Sequence, residues 1–390
     1  DLHLSIRRQR QMCIRDSTYS PLDRVIWDTP AADAILNEIN RLSVNKVFIV
    51  ASSSISKKTD EILKVKNILG NKFVGLFDRC IPHSPLENVI ECANSVQKSN
   101  PDIIITIGGG TPIDTVKVVQ LCHSLGIETV EDLKKISNKH QKKVSKIRQI
   151  AIPTTLSGGE YSIIGGAMDT KTQLKERYTG NDICPQVVIL DPKITLHTPD
   201  WLWLSTAIRS VDHAVEGLCS SSTNPLIPPM ALNSLQLFAR SLRDTYNDRE
   251  DIFARSLSQK AVWMIAKNLG NTSMGASHGI GYLLGSIGSV PHGYTSCVML
   301  PAVLKWNESF NKEKQKWIAN ALGRPKLSAS DAVAELISDL GLPRTLGDVG
   351  IKDDQWDKIA EYGVKHPTVL TNPRPITKKS DIIEILKLAS

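Results

Sequence analysis

The pattern of hydrophobic positions divides the 390-residue chain into two parts. In the first part, short runs rich in β-branched residues alternate with segments of helical spacing such as residues 86–99. The runs predict buried strands at residues 46–51, 73–77, 102–107, 149–152 and 187–190. Because strands that alternate with helices form parallel sheets covered on both faces, the first part is expected to be an α/β domain.

After Asp191-Pro192 the pattern becomes helical, which predicts an all-helical second domain. Helices are expected at residues 229–244, 252–268, 312–322, 331–340 and 379–388, with Ser330 as an N-cap. The predicted boundary lies near residues 191–200, giving an α/β domain at 18–195 and a helical domain at 196–390. Residues 1–17 contain four arginines and are interpreted as a leader or an artificially appended segment.

The composition of the chain indicates what kind of molecule the protein binds. The net charge is +7, and there is neither an aromatic-interleaved basic stripe nor an apolar run of the roughly 18–20 residues that span a bilayer. We therefore expect a small anionic ligand, with no nucleic acid and no membrane. Seven scattered cysteines without a CxxC pair indicate a reducing, cytoplasmic location.

A glycine-rich segment follows the strongest predicted strand and opens a helix. Gly108, Gly109 and Gly110 allow a tight turn whose N–H groups, with the helix dipole, suit a pyrophosphate. Thr111 is the predicted N-cap, with Pro112 at the first helical position. The alternative is a strand-to-helix turn that binds no ligand.

Polar side chains near this turn extend the predicted cofactor site. Asp114 and Lys117 are three residues apart on the new helix and are expected to face the cofactor or the cleft. A second loop offers hydroxyls at Thr154, Thr155 and Ser157 to a ribose or a phosphate, although a loop of this composition is also common as a simple turn.

Three histidines in Gly- or Ala-rich surroundings suggest a ligand site: His213, His278 and His292. Arg209 lies one helical turn before His213, so the two side chains should share a pocket. A divalent cation prefers carboxylates and neutral imidazoles, and a permanent guanidinium charge opposes it.

Together these segments resemble the iron-containing (group III) alcohol dehydrogenase family, over roughly residues 20–388. The segments that carry the resemblance are 108–117, 152–155, 213–216 and 278–293. Within the family the chain looks nearest to the maleylacetate reductases, through residues 77–85, 179–182 and 372–375. The resemblance implies a Rossmann-like domain, a helical catalytic domain, a nicotinamide cofactor in the cleft between them and a homodimer.

The resemblance also implies which residues form the catalytic site. In the family an Asp and three histidines hold the metal, and these positions are Arg209, His213, His278 and His292 here. A further family histidine is replaced by Tyr282. We therefore expect no catalytic metal, with Arg209 binding a substrate carboxylate and Tyr282 donating a proton. The alternatives are that Arg209 pairs with Glu216, and that Tyr282 only fills the volume of a histidine.

The strand at residues 46–51 bears on the choice of cofactor. In NAD-preferring relatives an acidic residue near its end binds the ribose hydroxyls, whereas here Ser52 begins a serine triplet, with Lys57 and Lys58 close by. NADP(H) is favoured slightly over NAD(H). The predicted function is reduction of a carbonyl or activated double bond of an anionic small molecule. The alternative is a non-redox lyase, cyclase or condensing enzyme on the same scaffold.

Overall fold

A computed structural model describes residues 19–172, 174–267, 270 and 272–390. The predicted leader at residues 1–17 lies outside these residues. Within them, no helix is both long enough and apolar enough to cross a membrane.

The described residues of the first half of the chain contain nine strands, six of which form one large parallel sheet. The strands are β1 (Arg24–Trp27), β2 (Val47–Ala51), β3 (Phe73–Phe77), β4 (Ile103–Gly108), β5 (His140–Gln141), β6 (Arg148–Pro153), β7 (Ile164–Asp169), β8 (Leu174–Gly180) and β9 (Val187–Leu190). The large sheet has the order β1-β9-β6-β4-β2-β3, and adjacent strands within it run parallel. All five predicted strands are confirmed, because continuous runs of Ile and Val are stable only where both faces of a sheet are buried.

A smaller sheet was not predicted. It has the order β5-β8-β7, with β7 and β8 pairing antiparallel. The sequence of β8, LKERYTG, is largely polar, and β7 contains two consecutive glycines, so neither strand shows a clear alternation of hydrophobic residues.

Helices cover both faces of the large sheet and form the second half of the chain. They are α1 (Ala31–Arg41), α2 (Ser53–Lys58), α3 (Glu61–Leu69), α4 (Leu86–Ser99), α5 (Gly110–Leu125), α6 (Val130–Lys135), α7 (Asp200–Cys219), α8 (Ile227–Asn247), α9 (Ile252–Ala266), α10 (Ala276–Gly288), α11 (His292–Ala321), α12 (Ala329–Asp339), α13 (Trp356–Gly363), α14 (Pro367–Leu370) and α15 (Lys379–Leu388). The expected α/β and helical domains are thus both present.

Two predicted helix starts are wrong. Helix α5 begins at Gly110 with Gly109 as its N-cap, so Thr111 is already helical and Pro112 is the third residue. Proline is tolerated there because N–H groups of a first turn have no intrahelical acceptor. Helix α12 is capped by Ser328, whose side chain accepts from the Asp331 N–H, and not by Ser330.

Several charged side chains are buried in the α/β domain, and Lys117 is one of them. Lys117 is fully buried, and its Nζ donates to the carbonyls of Gly159 (2.5 Å) and Ile164 (2.8 Å) and to Ser162 Oγ (3.2 Å). The prediction that Lys117 faces the cofactor is therefore wrong, because its ammonium connects α5 to the segment before β7.

We expect Lys117→Met to lower the free energy of unfolding by about 3 kcal/mol, since buried carbonyl oxygens left without donors cost about 1–3 kcal/mol each. Urea denaturation measures this loss. Lys135→Met removes an exposed lysine from a surface ion pair and should change stability by less than about 0.5 kcal/mol. Equal losses in the two variants would contradict the anchoring role.

Glu160 is another buried charged residue of this domain, and its Oε2 has no hydrogen-bond partner among the described residues. Burial raises the pKa of this carboxyl from 4.5 to about 7, although a backbone hydrogen bond and the charge of Lys117 oppose the shift. A raised pKa means that the folded protein holds a proton that the unfolded chain releases.

The stability that Glu160 contributes should therefore be present below pH 4.5 and be lost as the pH rises through about 7. Urea midpoints of the wild type and of Glu160→Gln should diverge over this interval, by an amount on the order of 3 kcal/mol in unfolding free energy. Glu361→Gln, at an exposed position, serves as the control. Parallel pH profiles for the wild type and Glu160→Gln would refute the assignment.

Candidate active site

Three neighbouring strands bring the predicted cofactor residues to one edge of the sheet. Strands β2, β4 and β6 are adjacent, and the loops that follow them contain Ser52, the glycines of residues 108–110, and residues 154–157. The carboxyl ends of parallel strands at such a crevice are where open α/β sheets bind ligands.

The glycines leave room for the neighbouring hydroxyl residues. Gly108 has φ +150°, and a Cβ there would lie 3.2 Å from Ser52 Oγ. A Cβ at Gly109 would lie 2.9 Å from the Thr155 side chain, and one at Gly110 would lie 3.4 Å from Ser157 Oγ. The turn is therefore bordered by hydroxyls and is followed at once by α5, an arrangement suited to a phosphate.

Two other predicted cofactor residues have contacts within the protein. Asp114 Oδ2 accepts from the Gly166 N–H (3.2 Å), so this side chain links α5 to β7. Thr154 is buried, and its N–H donates to the Gly108 carbonyl (3.0 Å).

The loop after β6 contacts helix α7 directly. The Leu156 N–H donates to Thr206 Oγ1 (3.1 Å), and Ser210 Oγ donates to the Leu156 carbonyl (2.5 Å). Ser210 is adjacent to Arg209, so these bonds place the glycine-rich crevice beside the helix that carries Arg209 and His213.

The five predicted catalytic residues form one group, here called the active-site cluster: Arg209, His213, His278, Tyr282 and His292. The His213 and His278 rings stack with centroids 4.8 Å apart, and the Tyr282 and His292 rings stack at 5.7 Å. The Arg209 guanidinium lies 5.3 Å from the centre of the Tyr282 ring.

From the sequence, the glycines near the histidines were expected to make room for a ligand. In the structure, two of them instead allow helices to approach each other closely. A Cβ at Gly293 would lie 2.4 Å from Ser205 Oγ on α7, and one at Gly281 would lie 3.0 Å from Thr295 Oγ1 on α11. The close packing of α7, α10 and α11 therefore brings the histidines together.

Asp212 is a buried carboxylate that was not predicted. Its Oδ2 accepts from Ser277 Oγ and Ser296 Oγ, both at 2.7 Å, and lies 3.3 Å from His278 Nδ1. The sequence did contain a signal, because Asp212 follows Arg209 by three residues on one helix and so shares its face.

Glu216 stabilises the start of α10. Its carboxylate accepts from the N–H groups of Gly275 (2.7 Å) and Ser277 (2.8 Å) and from His278 Nδ1 (2.8 Å). A carboxylate at a helix N-terminus is favourable because it satisfies free N–H groups and opposes the helix dipole. The considered pairing of Arg209 with Glu216 is therefore wrong, and the carboxylate beside Arg209 is Asp212, at 3.9 Å.

The histidines differ in charge because their neighbours differ. Burial and Arg209 lower the pKa of His278, but Asp212 and Glu216 outweigh them and raise it to about 9. Burial, with the charges of His278 and Arg209, holds the pKa of His213 well below its usual value, and Arg209 is the main cause of the same effect at His292. His278 is therefore the charged imidazole of the cluster at neutral pH.

Tyr282 lies at the open side of the cluster, with 40% of its surface exposed. Desolvation raises the pKa of its phenol, but the charges of Arg209 and His278 outweigh this and the net shift is downward. His366, which sequence reasoning missed, also borders Tyr282, with ring centroids 5.9 Å apart. Its only sequence signal is the His366-Pro367 pair that starts α14.

The cluster does not fit a divalent cation. Among the described residues, one group of three offers possible ligand atoms within 4.8 Å of one another: Asp212, Glu216 and His278. These atoms already contact each other, because His278 Nδ1 lies 2.8 Å from Glu216 and 3.3 Å from Asp212. The three histidines of the family ligand set do not form such a group among the described residues. The Arg209 guanidinium adds a fixed positive charge, which a dication would have to overcome.

Comparisons with known proteins identify the family and agree with the fold. Residues 23–192 match the model of the iron-containing alcohol dehydrogenases, and residues 204–390 match the C-terminal model of the Fe-containing alcohol dehydrogenase family.

Individual relatives extend over nearly the whole chain. The chain is 34% identical to Dehydrogenase ALT3 of Alternaria alternata, covering 88% of this chain and 98% of that protein. It is 28% identical to a maleylacetate reductase of Burkholderia cepacia, with 94% of each chain covered. In fold it is similar to the sulfoacetaldehyde reductase of Bifidobacterium kashiwanohense in complex with NAD+, with a TM-score of 0.86, 20% identity, and 97% and 99% of the two chains covered.

Both halves of the chain match family models, and the relatives named here are dehydrogenases or reductases. The protein is an oxidoreductase of the iron-containing alcohol dehydrogenase family.

Proposed function

We propose that this protein is a nicotinamide-dependent reductase of an anionic ketone or enone, and that it works without a catalytic metal. The observation that carries the proposal is the pair of cationic side chains, Arg209 and His278, beside the glycine-rich crevice. Arg209 is 3% exposed and makes one hydrogen bond to a described residue, to Ser296 Oγ (3.0 Å). A guanidinium has five N–H donors, so most of them remain for a ligand.

The substrate would lie between the crevice and the active-site cluster. Arg209 would bind a carboxylate in bidentate fashion, which is the geometry that guanidinium favours. His278 Nε2 is buried without a hydrogen-bond partner among the described residues, so its N–H could stabilise an oxygen that gains negative charge.

A nicotinamide cofactor, when bound, supplies a hydride to the substrate carbon. The electron pair of the reduced double bond then moves to the oxygen, or to the conjugated carbonyl, and a proton completes the reaction. We propose that Tyr282 donates this proton, and two observations support the role: its phenol pKa is lowered, and its ring borders both Arg209 and His292. A histidine of the cluster is the alternative donor.

The cofactor is proposed to be NADP(H) ahead of NAD(H). Ser52 and Ser54 follow β2 in place of a carboxylate, and Lys57 and Lys58 are exposed on α2. The carboxylate of Asp78, at the end of β3, accepts from Ser56 Oγ (2.7 Å) and so is already engaged. A 2′-phosphate would therefore meet hydroxyls and lysines. A homodimer and a cytoplasmic location remain expectations of the proposal.

Turnover tests the redox proposal. When maleylacetate is added, NADPH should lose its near-ultraviolet absorbance, and faster than NADH does.

Arg209→Met should raise the KM for maleylacetate by about a hundredfold, because a bidentate charge-assisted contact is lost. The Kd for the cofactor should stay unchanged. The methyl ester of maleylacetate is the control substrate, because it lacks the carboxylate charges, and Arg209→Met should alter its KM far less. An unchanged absorbance across keto acids, aldehydes and quinone-derived ketones, despite cofactor binding, would favour the non-redox alternative.

Metal content tests the second part of the proposal. Elemental analysis should find no stoichiometric iron or zinc, and a chelator should leave turnover unchanged. Arg209→Asp combined with Tyr282→His restores the family's residues and should bind added Zn²⁺, since a carboxylate and imidazoles suit this ion. Stoichiometric metal whose removal abolishes wild-type turnover would refute the metal-free mechanism.

A further inference from the structure

Arg209 is connected to a carboxylate through a hydroxyl relay. Its NH1 donates to Ser296 Oγ (3.0 Å), and Ser296 Oγ donates to Asp212 Oδ2 (2.7 Å). NH1 and Oδ2 are also 3.9 Å apart, so a direct attraction acts alongside the relay. A buried guanidinium loses hydration, and this contact with a carboxylate offsets part of the cost.

The same oxygen, Asp212 Oδ2, also contacts the other cationic side chain of the cluster. It lies 3.3 Å from His278 Nδ1 and accepts from Ser277 Oγ at 2.7 Å. Arg209 and His278 would repel each other without a negative charge near both. Glu216 contacts His278 and forms no ion pair with Arg209 among the described residues, whereas Asp212 lies close to both cations.

We propose that Asp212 is a positioning residue, which orients Arg209 through Ser296 toward the substrate carboxylate and fixes His278 directly, so that its Nε2–H faces the oxygen that gains negative charge. This inference rests on the proposed function in that the ligand is an anion. The family's carboxylate at position 209 would contact a metal, whereas here the carboxylate is three residues further along α7 and the cation is part of the chain. Position 209 therefore carries a positive charge where the family has a negative one, and the negative charge lies at Asp212.

Two serines provide a matched test. Ser277 and Ser296 are both fully buried, and each donates to Asp212 Oδ2 at 2.7 Å, but only Ser296 contacts Arg209. The probe is succinate, a dicarboxylate that the cofactor cannot reduce, titrated calorimetrically into the full chain.

Ser296→Ala should weaken succinate binding by about tenfold, because Arg209 loses its anchor, whereas Ser277→Ala should change the Kd by less than about twofold. Asp212→Asn should weaken succinate at least as much as Ser296→Ala, and Ser296→Thr, which keeps the hydroxyl, should restore binding. All variants should bind the cofactor with the wild-type Kd. A purely structural role of Asp212 would instead lower Tm in both alanine variants without separating their succinate affinities.

Equal effects of the two alanine substitutions, no effect of Ser296→Ala, or no binding of succinate by the wild type would each overturn the inference. Failure of the proposed function gives a different result. Succinate would then bind with the expected difference between the two alanine variants, while no ketone or enone caused oxidation of the cofactor.

Discussion

The buried carboxylate of Asp212 is the interaction on which the charge arrangement of the active site depends. Its Oδ2 accepts from two serine hydroxyls and lies near both Arg209 and His278. Two cationic side chains can share a buried site only if negative charge lies close to both, because desolvation and mutual repulsion each oppose their charged forms. Glu216 adds a second negative charge on the His278 side, where it also satisfies the first turn of α10.

Two features of the fold bring the charged residues of the active-site cluster to the cofactor crevice. Parallel strands β2, β4 and β6 place the polar loops at one edge of the sheet, and the last of these loops is hydrogen-bonded to α7 through Thr206 and Ser210. Gly293 then lets α11 approach α7 closely, and Gly281 lets α10 approach α11. Since Arg209 is adjacent to Ser210, the helix that carries Arg209 is hydrogen-bonded to a loop that would bind the cofactor.

The buried strands could be predicted from the sequence because runs such as Ile103–Gly108 are stable only inside a parallel sheet. The pair β7 and β8 was missed because polar residues and glycines obscure the alternation on which such predictions depend. The start of α5 was wrong by two residues, since Gly109 takes the cap position that Thr111 was expected to occupy. Lys117 was wrongly assigned to the cofactor because helical spacing gives the face of a residue but not what covers that face.

The sequence by itself determined the family, the two kinds of domain and the five residues of the active-site cluster, because these follow from local patterns and from motifs in a fixed order. It also determined that a permanent positive charge replaces the family's carboxylate, since that is a matter of residue type. Only the tertiary structure decided that Asp212 and not Glu216 is the partner of Arg209, that His278 is the charged imidazole, and that His366 borders Tyr282. The physical reason is that helical spacing left both Asp212 and Glu216 available to Arg209, and the choice between them depends on distances between atoms that only the folded chain defines. The pKa of His278 likewise depends on burial and on carboxylates more than 60 residues away in the chain, Asp212 at 3.3 Å and Glu216 at 2.8 Å.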